Sequence, residues 1–132
     1  MKRLILLISA IFLLNFAYGK TETCTKKTIA IDLDGVLNNY TKFDKNNIPD
    51  MKEGADEFIK NLSKDYDLIL FTNRSAMLAT KWLIQNSLDS YFKEVTNIKP
   101  IAIIYLDDRA INFNGDYDKA LNEIRNFKVY YK

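Results

Sequence analysis

Ile29-Ala30-Ile31-Asp32-Leu33-Asp34-Gly35-Val36-Leu37 carries an apolar run into two carboxylates separated by one residue, with a glycine immediately after. In an extended chain, residues i and i+2 point to the same side, so Asp32 and Asp34 share a face. Two negative charges held that close repel unless a cation lies between them or one is protonated. A hard divalent ion such as Mg²⁺ meets that need through carboxylate oxygens. Gly35 lets the backbone turn sharply as it leaves the strand. The same letters also fit a strand that ends in a polar turn, and the rest of the chain decides between the two readings.

The chain has 132 residues, enough for one domain, and its 48% apolar content fits a folded protein. Lys2 and Arg3 precede an apolar stretch from Leu4 to Leu14, broken only by Ser9, and Ala17-Tyr18-Gly19 follows. This is the layout of a secretory signal peptide, expected over residues 1–19. Its apolar part falls short of the roughly 20 residues that span a bilayer. The expected location is therefore secreted or periplasmic, the alternative being a membrane anchor formed by an uncleaved N-terminus. Residues 20–27 read as a loose polar segment and 28–132 as the folded domain. Without Lys2 and Arg3, seventeen basic residues balance seventeen acidic ones. A neutral domain has no specific nucleic-acid patch and no electrostatic draw to anionic membranes. Cys24 is the only cysteine, so no internal disulfide forms. The chain contains no histidine, which excludes His-activated nucleophiles and ordinary zinc sites and leaves acid–base work to carboxylates, lysine or tyrosine.

Thr28 to Leu33 reads as a buried strand, and residues 38–52, rich in Asn, Asp and Lys with Pro49, as a loop holding Tyr40 and Phe43. Ala55, Phe58, Ile59 and Leu62 recur at helical spacing. Strands are expected at 67–71, 95–98, 101–106 and 127–131. A second helix carries Met77, Leu78, Trp82 and Leu83, read as core, and a third covers 118–126. The alternation predicts an α/β fold: a doubly wound, mostly parallel sheet with helices on both faces. In such folds ligands bind at the carboxyl ends of the strands. Asp32 and Asp34, Thr72, and Asp107 and Asp108 all fall at such ends.

Taken in order, Asp32-Leu33-Asp34-Gly35, Thr72 in Leu70-Phe71-Thr72-Asn73-Arg74, Lys99 in Asn97-Ile98-Lys99-Pro100, and Asp107-Asp108 after Ile104-Tyr105-Leu106 resemble the four motifs of the haloacid dehalogenase superfamily of phosphohydrolases. The resemblance covers about residues 28–115 and is to small members without a cap domain, since neither 36–52 nor 73–98 has room for one. It implies Asp32 as nucleophile, forming an acyl-phosphate, and Asp34 as general acid and then base. It implies Mg²⁺ held by Asp32, Asp34 through its backbone carbonyl, and Asp107 or Asp108. Thr72, Asn73 and nearby backbone N–H groups would bind the phosphate, and Lys99 would neutralise the transferring phosphoryl group. Taken singly, Thr72 also fits a helix N-cap, Lys99 a solvated lysine, and Asp107-Asp108 a strand-ending turn. Arg74 fits either a surface residue or a grip on a second anionic group, and Arg109 a partner for an acidic neighbour.

The expected activity is Mg²⁺-dependent phosphomonoester hydrolysis. An open site admits large phosphorylated substrates such as phosphoproteins, polynucleotide ends or glycans, and small esters too if Tyr40 and Phe43 fold over it. Export away from cytoplasmic ATP disfavours a kinase. A receiver domain is a poorer match, because there the acidic pair leads and the lysine comes near the end. The other alternative is a non-catalytic phosphate- or metal-binding module on the same fold.

Overall fold

A computed structural model describes residues 25–131. The signal peptide expected at 1–19 and most of the loose segment at 20–27 lie outside them. Four strands, β1 (Lys27–Ile31), β2 (Tyr66–Phe71), β3 (Phe92–Thr96) and β4 (Ile104–Leu106), form one sheet in the order β3-β2-β1-β4. Every pairing is parallel. Helix α1 (Ala55–Leu62) joins β1 to β2, and α2 (Ala76–Gln85) with a 3₁₀ turn at Asp89–Tyr91 joins β2 to β3. Helix α3 (Tyr117–Asn126) follows β4. The expected α/β architecture with its parallel sheet is the one observed.

The core follows from the register. Ile29 and Ile31 of β1 lie opposite Leu68 and Leu70 of β2, so all four share one face of the sheet. They join Ala55 and Ile59 of α1 and Ala79, Trp82 and Leu83 of α2 in a single buried cluster, with Leu33 and Leu37 closing it beside the site. Each of the large aliphatic side chains buried there contributes about 1.5–3 kcal/mol relative to exposure. Ala30 is buried on the other face, so β1 is covered on both sides, as an uninterrupted apolar strand requires. Trp82 is core, as its helical phase predicts, and its indole N–H donates to the Pro49 carbonyl at 2.9 Å. That bond ties α2 to the 38–52 segment. The segment closes on itself through an antiparallel bridge between Asn38 and Met51. No helix among the described residues is long and apolar enough to cross a membrane.

Some expected boundaries shift. The strand expected at 95–98 is β3 at 92–96, which pairs along β2 from Leu68 onward. The strand expected at 101–106 is paired only from Ile104, because Ile104 stands opposite Ile29 and the register places Ile101 beyond the start of β1. Residues 127–131 form no strand. The chain leaves α3 and turns back toward the end of β1, where its tyrosine side chains find partners.

Candidate active site

The parallel register builds the site. The Asp32 N–H donates to the Leu106 carbonyl at 2.9 Å, joining the carboxyl ends of β1 and β4. Asp107 and Asp108, the next residues after β4, are thereby set beside Asp32. One carboxylate oxygen from each of Asp32, Asp107 and Asp108 lies within 4.8 Å of the others. The turn after Asp32 is closed by the Leu37 and Asn38 N–H groups, both donating to the Leu33 carbonyl. Gly35 at its tip has φ +84°, and a Cβ there would stand 2.7 Å from Asp108 Oδ2 and 2.8 Å from the Tyr131 ring. Glycine is needed twice at this position, for the left-handed backbone and for the close approach of Asp108 and Tyr131.

The charges are arranged unevenly. Asp108 Oδ2 accepts from the Tyr131 hydroxyl at 2.6 Å and lies 3.6 Å from Arg109 Nε. Asp108 Oδ1 is buried and has no hydrogen-bond partner among the described residues. The Asp107 carboxylate caps the following turn by accepting from the Arg109 N–H at 2.7 Å. The Asp32 carboxyl is pushed up to about 7. Burial is the main cause, and the charges of Asp107, Asp34 and Asp108 add to it, against a backbone hydrogen bond at Leu33. The Tyr131 phenol is pushed up, first by burial and then by its bond to Asp108. An all-carboxylate donor set, one of whose buried oxygens lacks a partner among the described residues, fits a hard divalent cation.

The side chain of Asp34 stands apart from that trio. Its Oδ2 accepts from Arg74 Nε at 2.7 Å, and its Oδ1 accepts from Arg74 Nη2 at 3.1 Å and from the Asn38 amide at 2.9 Å. Arg74 is neither a surface residue nor open to a second anion. It is buried, donates to the Asp44 and Asn47 carbonyls as well, and lies 4.6 Å from the Phe43 ring centroid. Thr72 is buried at the end of β2, where its N–H donates to the Thr96 carbonyl and its hydroxyl accepts from the Arg74 N–H. It is not a helix cap, since Ser75 occupies the N-cap position of α2. Asn73 is exposed beside it. Lys99 Nζ lies 4.7 Å from the centroid of the Tyr105 ring, with no ion pair or hydrogen bond to Asp32 among the described residues. Arg109 does pair with an acidic neighbour, Asp108. Sequence reasoning missed the Arg74–Asp34 clamp and the arrival of Tyr131. For Arg74 the signal was its place two residues after Thr72; for Tyr131 there was none.

The fold resembles that of a conserved protein from Bacteroides thetaiotaomicron, with a TM-score of 0.54 and 23% identity over 80% of this chain and 95% of that one. No curated protein matches the chain. The model of the NLI interacting factor-like phosphatases, a family of the haloacid dehalogenase type, matches residues 27–129, which contain every strand and helix of the fold and the whole acidic cluster. The chain therefore belongs to the NLI interacting factor-like phosphatase family.

Proposed function

We propose that this chain is a Mg²⁺-dependent phosphomonoester hydrolase that works through a phosphoryl group carried on Asp32. One observation carries the reading: Asp32, Asp107 and Asp108 converge at the carboxyl end of the sheet, and a buried Asp108 oxygen there lacks a partner among the described residues. Asp32, Asp107, Asp108 and the Asp34 carbonyl would hold the ion. When bound, Mg²⁺ supplies positive charge that lets an anionic ester approach an anionic nucleophile.

The remaining chemistry belongs to the chain. A carboxylate oxygen of Asp32 attacks phosphorus, and the bond to the leaving oxygen breaks as Asp34 gives that oxygen a proton. Water then attacks the phosphoryl group on Asp32 while Asp34 takes its proton, which restores both carboxyls. Asp34 uses both of its oxygens as acceptors from Arg74 and Asn38. Three donors leave one lone pair on Oδ2, where Asp34 would carry its proton. Thr72, Asn73 and backbone N–H groups at the end of β2 would orient the phosphate, and Lys99 would swing from Tyr105 to meet the transferring charge. Among the described residues no separate domain covers the site, in keeping with a phosphate at the exposed end of a larger molecule as well as a small ester. Export directed by residues 1–19 is part of the same proposal. An intact N-terminus on the native protein would refute cleavage.

Turnover of an aryl phosphate by the full chain, with and without Mg²⁺, beside Asp32→Asn, tests the function. Metal-dependent release of phosphate that the variant lacks supports it. Phosphate or Mg²⁺ binding without turnover across a broad panel of esters would instead establish a binding module.

A further inference from the structure

We propose that Tyr131 is a positioning residue for the cation site: its hydroxyl pins one oxygen of Asp108 and thereby turns the other toward Asp32 and Asp107. The inference rests on the metal-dependent reading above and extends it to a residue outside every motif in the sequence. The Asp108 side chain is only 1% exposed, so solvent does not set its orientation. A carboxylate turns broadly about its last torsion unless something holds it. Here Tyr131 Oη donates to Oδ2 at 2.6 Å, while Oδ1 is left without a partner among the described residues. Arg109 Nη2 donates to the same hydroxyl at 3.2 Å, which occupies its acceptor side and directs its proton to Asp108.

The ring that carries this hydroxyl is itself held. Tyr40 and Tyr130 meet it edge-on, with centroids at 5.8 and 5.1 Å. Arg109 lies 5.0 Å from the centroid of the Tyr40 ring. The neighbouring Tyr130 hydroxyl donates to the Gly35 carbonyl, which also accepts from Lys52 Nζ at 2.9 Å. The C-terminal segment is thus fastened to the turn that carries Asp32 and Asp34. The bare Cα of Gly35 leaves the space through which Tyr131 reaches Asp108.

Mn²⁺ binding to the metal-free full chain, followed by the loss of free-ion paramagnetic resonance signal, tests this against Tyr131→Phe and Tyr117→Phe. Tyr117 lies on α3 and is 80% exposed, so its variant controls for loss of a tyrosine hydroxyl away from the site. Tyr131→Phe should weaken Mn²⁺ binding on the order of 10-fold, as expected when a ligand loses its supporting hydrogen bond, and Tyr117→Phe should leave it unchanged. In turnover, Tyr131→Phe should raise the Mg²⁺ concentration for half-activation by a similar factor and recover its kcat when Mg²⁺ saturates. Equal Mn²⁺ affinities, or a kcat lowered equally at every Mg²⁺ concentration, would overturn the proposal. A wild-type chain that binds no Mn²⁺ would overturn the metal-dependent reading along with it, so the two failures are told apart.

Discussion

Asp32→Asn should stabilise the metal-free protein, and more so as pH rises. The Asp32 carboxyl is raised from 3.8 to about 7, so the native state holds a proton there that the unfolded chain releases near its ordinary value. Between those values the native state binds more protons than the unfolded state, and stability therefore falls as pH rises through that window. The displacement sets a ceiling on the order of 4 kcal/mol, at about 1.36 kcal/mol for each tenfold change in proton affinity. Asp107, Asp34 and Asp108 face Asp32 with like charge, while Arg74 and Arg109 partly neutralise the last two. Water entry and that compensation reduce the part lost between about pH 5 and pH 8 to about 1–2 kcal/mol. Asparagine keeps the shape and has no proton to lose. Urea unfolding in EDTA at both pH values, for wild type and Asp32→Asn, should show the variant gaining that amount on wild type at the higher pH. With Mg²⁺ in place of EDTA the order should reverse, because ion binding stabilises the wild type by mass action and gains strength as the carboxyl deprotonates. A stability difference independent of pH in EDTA would refute the claim that repulsion and burial at Asp32 are stored in the fold.

Gly35→Ala should cost at least about 2 kcal/mol, read by urea unfolding, because the left-handed backbone and the contact with Asp108 Oδ2 both oppose a Cβ. Arg74→Ala should cost about 3–5 kcal/mol by the same measurement, since it leaves the largely buried Asp34 carboxylate without its cation and removes the donor to two loop carbonyls. Arg74→Lys should recover little of this, because an ammonium cannot reproduce the two parallel bonds to Asp34. Lys99→Ala should change stability by less than about 1 kcal/mol, the worth of its exposed contact with Tyr105, yet lower kcat/KM for an aryl phosphate by about 10²-fold.

What could be read in advance was local. Asp32 and Asp34 announce themselves because their spacing and the apolar run before them are properties of neighbouring residues. The third helix is expected over 118–126 and is observed at Tyr117–Asn126, yet the structure buries none of its side chains, and a helical span alone carries no information about what a helix face meets. Arg74 was ambiguous because an arginine reads alike at a surface and in a clamp; only the return of the 43–47 loop, which brings the Asp44 and Asn47 carbonyls to it, decides. Tyr131 falls within the strand expected at 127–131, which the structure does not form. Its role depends on where the chain goes after α3, which no short window of sequence contains.

The acidic trio itself sits between these cases. Asp107-Asp108 was legible as a pair at a strand end, but its nearness to Asp32 is a consequence of register. Ile31 lies opposite Leu106, and the next N–H, that of Asp32, donates to the Leu106 carbonyl. A slip of one residue along β4 would carry Asp107 past the end of β1 and turn its side chain to the other face of the sheet. The same slip would take Ile104 and Leu106 off the face they share with Ile29 and Ile31. Ile104 and Leu106 stay largely exposed, so the backbone pairing of β4 with β1, rather than burial of β4 side chains, sets this register and gathers the carboxylates. Substitutions that weaken the pairing of Leu106 with Ile31 should disturb ion binding before they unfold the domain.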